Sequence, residues 1–166
     1  MKPSFTSVSG TSDSGTSVSG FTLIEMLVVV AIVAILASIA VPSFKSLMQS
    51  QRVKNAGFEL FATLSVARSE AIKRNATVTV TPVSAGSWQA GWGIAASGAP
   101  AIKTQGSVKG VVITLAPASV AYARNGRITG ASPSFQIDVS ATATANVRCI
   151  KIELSGMPRT LKGACT

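Results

Sequence analysis

The sequence predicts an α+β fold in which one long amino-terminal helix precedes an antiparallel β-sheet. Residues 21–42 form an apolar run with a single acid, and residues 43–75 carry apolar side chains at three-to-four-residue steps. The chain of residues 76–166 contains short runs in which apolar and polar residues alternate, as in strands. We therefore expect a helix with a transmembrane half and an amphipathic half, the second packed against the sheet.

Residues 1–20 differ in composition from everything that follows. They are rich in Ser, Gly and Thr and contain two near-copies of one motif, at residues 5–10 and 15–20. Such a segment cannot bury enough apolar surface to order itself. We expect it to be a leader that takes no part in the folded domain.

The apolar run that follows is long enough to cross a membrane. At about 1.5 Å per residue, a helix from Phe21 to Val41 spans roughly 30 Å, the thickness of the hydrocarbon core. β-branched residues are frequent in it, but a lone segment in lipid must satisfy its backbone internally and is therefore helical. The sequence predicts a single membrane-spanning helix.

The carboxylate of Glu25 stands near the start of this run. A charged side chain at the centre of a bilayer costs about 2.5–3.5 kcal/mol on insertion scales, so its presence calls for a partner. Thr22 and Glu25 also have the T-x-x-E spacing of a capping box, in which the threonine caps the helix and the glutamate reaches back to the threonine amide. The two roles are compatible.

Two simple interpretations of the first forty residues, a secretory signal peptide and a plain membrane anchor, remain open at this point. A secretory signal peptide would end at a small-residue site such as Ser38-Ile39-Ala40, although Glu25 inside the apolar core and Pro42 beyond the site fit it poorly. A plain membrane anchor would leave Gly20 and Glu25 without a purpose. Neither interpretation accounts for the acid.

Pro42 marks the passage from the uniformly apolar to the amphipathic part of the helix. It removes one backbone hydrogen bond, so we expect a kink at Pro42, and the periodicity that resumes beyond it indicates that the helix continues. The helix is predicted from Thr22 to about Asn75, roughly 80 Å. The apolar positions that recur are Phe44, Leu47, Met48, Phe58, Phe61, Leu64 and Ile72.

The remainder of the chain is predicted to form strands. Thr77–Thr81 alternates strictly and should end at Pro82, and Asn125-Gly126 indicates a hairpin turn in which Gly126 has a positive φ. Trp88 and Trp92 are four residues apart, on one face of a strand, where core packing is expected in preference to base stacking. The other predicted strands are 88–94, 111–115, 120–124, 134–139 and 147–154.

Composition restricts the function. The net charge is +9, and because Lys2 and Asp13 cancel in the leader, the remaining chain keeps the whole excess. A basic domain favours polyanionic partners such as nucleic acid or anionic lipid. The chain has no histidine, no phosphate-binding glycine loop and no acids spaced as a catalytic or metal-binding pair. We expect no catalysis, no cofactor and no metal site.

The two cysteines, Cys149 and Cys165, lie 16 positions apart near the carboxyl end. In a domain exported to an oxidising compartment, two cysteines indicate one disulfide. In the chain-entropy model a loop of this size stabilises the fold by about 3 kcal/mol.

The stretch Gly20-Phe21-Thr22-Leu23-Ile24-Glu25, followed by the apolar run, resembles the processing site of the type IV prepilin superfamily. The resemblance implies that a prepilin peptidase cuts after Gly20 and methylates the new amino terminus at Phe21. It also implies that Glu25 pairs with the terminal amine of a neighbouring subunit in a filament. The helix would then cross the bacterial inner membrane once, with the carboxyl-terminal domain in the periplasm. The leader of this chain is longer than usual and lacks a basic residue beside the glycine.

Within that superfamily, Ala67–Asn75 followed by Thr77–Val80 is similar to the GspH/FimT family. The Trp88–Gly93 segment, Asn125–Arg127 and the cysteine pair add to the similarity. The resemblance implies a pilin-like fold and one of two settings: a minor pilin of a type IV pilus, or a minor pseudopilin (GspH-like) of type II secretion. The basic domain favours the pilus, a surface appendage that meets anionic material.

Some FimT-like members bind DNA through a Gly-Arg-x-Arg element, of which this chain keeps only Gly156 and Arg159. Four basic residues still lie close in sequence around the expected disulfide. They form a candidate DNA-binding patch, whose affinity would fall as salt rises: Arg148, Lys151, Arg159 and Lys162. The alternative is that these are exposed charges on an edge hairpin, which discourage aggregation between sheets.

Overall fold

The computed structural model describes residues 20–140 and 146–166. The predicted leader, up to residue 19, lies outside the described residues. The chain divides into two compact units, the first ending at Val41 and the second extending from Pro42 to Thr166. One helix, α1, runs from Leu23 to Arg74 and contributes to both. The strands are β1 Val78–Ser84, β2 Ser87–Ala96, β3 Ala101–Gln105, β4 Val112–Thr114, β5 Val120–Tyr122, β6 Ser134–Asp138, β7 Arg148–Ile152 and β8 Pro158–Lys162.

Among the described residues, the first unit consists mainly of the apolar part of α1. Within the described chain α1 is the one helix long and apolar enough to cross a membrane, and its most apolar stretch buries no residue against the protein. The helix continues through Pro42. The kink expected at that residue stays a prediction.

In the second unit, α1 packs on the sheets through a stripe of small and branched residues at three-to-four-residue spacing. Its members are Val53, Ala56, Gly57, Leu60, Thr63, Leu64, Ala67 and Ala71. This stripe differs from the predicted one. Leu64 is buried as expected and Phe61 is half-buried, but five of the predicted apolar positions are exposed. These are Phe44, Leu47, Met48, Phe58 and Ile72.

The strands form two four-stranded antiparallel sheets, where the sequence predicted one. Their orders are β3-β2-β1-β5 and β4-β6-β7-β8. Every strand predicted from alternation is present within a few residues of its expected bounds. The core between α1 and the sheets is built around Trp88, Trp92, Tyr122 and Phe135, all nearly inaccessible to solvent.

The prediction that β1 ends at Pro82 is wrong, because the strand continues to Ser84. The physical reason lies in the pairing: β5 accompanies β1 only over Val78–Val80, so the Pro82 region is an edge with β2 as its one partner. Proline is tolerated at an edge because its missing N–H is not needed there. The register shifts between Pro82 and Ser84.

Candidate assembly segment and basic surface

The start of α1 is capped by Thr22. Its side-chain Oγ1 accepts a hydrogen bond of 3.3 Å from the backbone N–H of Glu25, and its carbonyl accepts one of 3.2 Å from Met26. Thr22 therefore occupies the N-cap position. The predicted capping box is only half formed, because the Glu25 carboxylate makes no hydrogen bond within residues 20–140 and 146–166.

The Glu25 carboxylate is left without a counter-ion by the described chain. Every ion pair found among those residues lies in the second unit, and Glu25 is exposed among exposed apolar side chains, with Phe21 76% accessible. The helix start favours a negative charge there through its partial positive charge. The carboxylate is thus available to a cation on another molecule.

The four basic residues of the candidate DNA-binding patch come together on two adjacent strands. Arg148 and Lys151 lie on β7, opposite Lys162 and Arg159 of β8 respectively. Neighbouring residues of a strand point to opposite faces, so residues an odd number of positions apart face opposite sides. Arg148 and Lys162 therefore share the face that carries Ile150, while Lys151 and Arg159 share the other.

DNA binding by these four residues stays a prediction, and the strand register shows how they are arranged. The register divides the four charges into two pairs on opposite faces of the sheet. Arg159 is also engaged within the chain, since its Nε lies 2.9 Å from Oε1 of Glu153. What the four residues share is a position near the outer edge of the sheet, as in the alternative interpretation of an edge hairpin.

A disulfide joins Cys149 on β7 to Cys165 in the tail after β8, the pairing that the sequence predicts. The backbone N–H of Cys165 donates to Oε1 of Gln136 on β6 at 3.2 Å. The tail is thus held on the face of the second sheet that carries Lys151 and Arg159.

Two turns meet at the side chain of Arg68, which the sequence analysis did not single out. The predicted turn is confirmed: Gly126 has φ +75° and donates its N–H to the carbonyl of Ala123 at 2.8 Å. Arg68 Nε donates to the Gly126 carbonyl at 3.1 Å. Gly156, with φ +82°, approaches the same carbonyl so closely that a side chain would overlap it. Gly156 thus has a structural role here.

The acids of the second unit are all engaged or buried. Glu70 accepts a hydrogen bond of 2.6 Å from Arg74 Nε, and Glu153 forms an ion pair with Arg159. Glu59 accepts a hydrogen bond of 3.2 Å from Gln105, and Asp138 is buried. The hydrogen bond from Arg74 holds the pKa of Glu70 below its usual value. The described residues contain no group of three or more metal-ligating side chains.

The two tryptophans are core residues, as the sequence predicted. Trp92 Nε1 donates to Thr63 Oγ1 at 2.9 Å, and Trp88 Nε1 donates to the carbonyl of Pro117 at 2.7 Å. Trp88 also packs edge-on against Phe135, with ring centroids 4.8 Å apart. Neither ring is exposed for stacking on a base.

An apolar, acid-bearing helix start followed by a helix packed on antiparallel sheets defines the class of pilin-like proteins. A model of the prokaryotic N-terminal methylation motif matches residues 16–41, and one of the family described as type II transport protein GspH matches residues 56–156. The second match covers more than half of the chain. The protein belongs to the GspH family, a family of structural pilin and pseudopilin subunits and not of enzymes.

Two crystal structures of the type IV minor pilin FimU from Pseudomonas aeruginosa have the same fold. One is 20% identical with a TM-score of 0.62 and matches over 70% of this chain and 95% of FimU. The other is 21% identical with a TM-score of 0.60 over 68% and 98%. No curated protein matches the sequence significantly. The family implies assembly with other pilin-type subunits and a membrane anchor.

Proposed function

We propose that this protein is a minor pilin of a type IV pilus, a structural subunit that helps to start or extend the filament. The observation that carries the proposal is the Glu25 carboxylate. It lies in the apolar helix of a chain with an N-terminal methylation motif, and it has no partner among the described residues. A charge that enters an apolar environment is tolerable chiefly when an opposite charge accompanies it.

In this proposal, a prepilin peptidase removes the leader after Gly20 and methylates Phe21. The methylated terminal amine keeps its positive charge, so it can neutralise the Glu25 carboxylate of an adjacent subunit. Before assembly, residues 21–42 anchor the subunit in the inner membrane, and its sheet domain lies in the periplasm. Assembly transfers the apolar helix from lipid to the filament.

The second candidate is a minor pseudopilin of type II secretion. The observation that favours it is the description of the matching family, type II transport protein GspH. The anchor does not separate the two settings, because both use the same processing and the same acid. The basic charge of the chain beyond the anchor favours the pilus: residues 42–166 contain fourteen lysines and arginines against four acids, a net charge of +10.

DNA uptake is not part of this proposal. The four residues expected to contact phosphate, Arg148, Lys151, Arg159 and Lys162, divide between two faces, and Arg159 is paired with Glu153. Salt-sensitive binding of DNA to the full-length chain at micromolar concentration would restore that role.

The test of the assembly role is Glu25→Gln in the full-length chain, expressed in its own host. Processing is read by mass spectrometry, which should find cleavage after Gly20 and a methylated Phe21 in both wild type and variant. The amount in sheared filaments relative to the membrane should fall strongly in the variant. Unchanged incorporation would contradict the proposal.

A matched control separates the charge from the helix cap. Thr22→Ala removes the hydroxyl that caps α1, at a cost of about 1 kcal/mol, and leaves the carboxylate in place. We expect Thr22→Ala to assemble nearly normally. Equal defects in the two variants would mean that assembly responds to any change at the start of the helix, and would contradict a specific role for the charge. Deletion of the gene, scored for surface pili and for secretion of folded proteins, decides between the two settings.

A further inference from the structure

An open apolar groove of about 420 Å³ lies between α1 and the edge strand β8. We call it the α1–β8 groove. Gly57 leaves space in its floor, Phe61 is half-buried, and the ring of Phe58 is 72% exposed at its side. A large exposed aromatic beside an apolar groove indicates a contact site for another molecule. The lining residues are Lys54, Gly57, Phe58, Phe61, Arg148 and Thr160.

The strand beside the groove has a free edge. β8 ends the order β4-β6-β7-β8, so within the described chain it pairs on one side only. Arg159 to Lys162 are all exposed, and Thr160 lines the groove. An edge strand next to an apolar groove suits an extended segment, which adds a strand and places alternate side chains in the groove.

The rim of the groove is positively charged. Lys54 and Arg148 line it, and Lys162 lies opposite Arg148 on the same face. None of the three forms an ion pair among the described residues, because the acids of this unit are buried or bonded elsewhere. The groove therefore favours a partner that brings carboxylates.

A second copy of this chain does not fit that requirement. Residues 42–166 carry a net charge of +10, so two copies repel each other. The carboxylates of Glu70 and Glu153 are already paired, that of Glu59 accepts a hydrogen bond from Gln105, and Asp138 is buried. An identical chain thus offers no acidic segment to the groove. The partner is a different molecule.

We propose that the α1–β8 groove docks an extended acidic segment of a different filament subunit, which adds a strand to β8. This inference rests on the proposed function, because that proposal is the reason for identifying the partner as a filament subunit. An apolar side chain of the segment packs beside Phe58 and Phe61, while its carboxylates meet Lys54, Arg148 and Lys162. The chain would accordingly be placed singly, between unlike subunits.

The direct test is photo-crosslinking in the host with the full-length chain carrying p-benzoylphenylalanine at Phe58. Sequencing of the adduct should identify a peptide that contains Asp or Glu from another subunit with an N-terminal methylation motif. The matched control places the probe at Val83, which is 67% exposed on β1, and should not capture that peptide. An adduct with a second copy, a lipid or nucleic acid would overturn the proposal, as would the absence of an adduct in assembled filaments.

Charge reversal tests the same contact independently. Lys54→Glu and Lys162→Glu alter exposed side chains, so the fold is preserved, and we expect the double variant to lower the Phe58 crosslink about tenfold. The control, Lys103→Glu on β3, changes an exposed charge on the other sheet and should leave the yield of the Phe58 crosslink unchanged. If Glu25→Gln blocks assembly while the double variant crosslinks normally, the groove proposal fails and the proposed function stands. If Glu25→Gln also assembles normally, both fail.

Discussion

Gly156 sits where the backbone leaves no room for a side chain. A methyl group there would overlap the carbonyl oxygen of Gly126 and lie 3.2 Å from Arg68 Nε. Gly156 also has φ +82°, a conformation that L-residues adopt at a cost. Gly156→Ala should therefore destabilise the domain for two separate reasons.

The two costs can be separated with a second glycine. Gly86 has φ +72° and nothing within 4 Å of an added methyl, so Gly86→Ala measures the backbone conformation alone. That term is about 1–2 kcal/mol, less about 0.4–1 kcal/mol because alanine restricts the unfolded chain. The overlap at Gly156 adds about 1–3 kcal/mol, since a backbone carbonyl cannot rotate away as a side chain can. We therefore expect a loss of about 0–1.6 kcal/mol for Gly86→Ala, and a loss for Gly156→Ala that is about 1–3 kcal/mol larger.

The free energy of unfolding is measured by urea denaturation of the purified full-length chain in detergent. Tryptophan fluorescence reports on the second unit alone, because Trp88 and Trp92 are the chain's two tryptophans and both are buried there. Equal losses in the two variants, within about 0.5 kcal/mol, would refute the close approach of the two turns.

Two further predictions use the same unfolding assay. Thr63→Val should cost about 1–3 kcal/mol, because the buried indole N–H of Trp92 loses its acceptor, and Trp92→Phe should cost less in the Thr63→Val background than alone; a negligible loss for Thr63→Val would contradict this hydrogen bond. Tyr122→Phe should be neutral or stabilising near pH 7, because the buried hydroxyl has no partner among the described residues. Burial raises the pKa of Tyr122 in the folded protein, so above about pH 10 the tyrosine of the unfolded chain loses its proton first. The stability of the wild type should therefore fall more steeply with rising pH than that of Tyr122→Phe. Parallel stability curves at alkaline pH would contradict this prediction.

Periodicity in the sequence predicted most of the fold because it reports burial. The alternating runs found six of the eight strands, and the apolar run found the first half of α1. The strands that were missed, β3 and β8, are both sheet edges and largely exposed. Without a buried face, a strand need not alternate, so its sequence does not distinguish it from a loop.

For the four basic residues of the candidate DNA-binding patch, too, the sequence predicted only part of the arrangement. Arg148, Lys151, Arg159 and Lys162 are close in sequence, and they are close in space. Which face each one occupies depends on strand register, and a shift of one residue reverses it. Composition gave the charge, but only the pairing of β7 with β8 showed that the charges divide.

The helix suggests why the predicted apolar stripe and the observed one differ. A sequence pattern records burial in the functional assembly, whereas one chain buries only what its own sheets cover. Phe44, Leu47, Met48 and Phe58 are large and apolar, follow helical spacing, and remain exposed on α1. In a monomeric domain such residues would be an aggregation hazard. We expect neighbouring subunits to cover these residues in the filament, so photo-crosslinking probes at Phe44 and Leu47 should form adducts with other subunits in assembled filaments and not before assembly. Equal yields of such adducts in the two states would contradict this expectation.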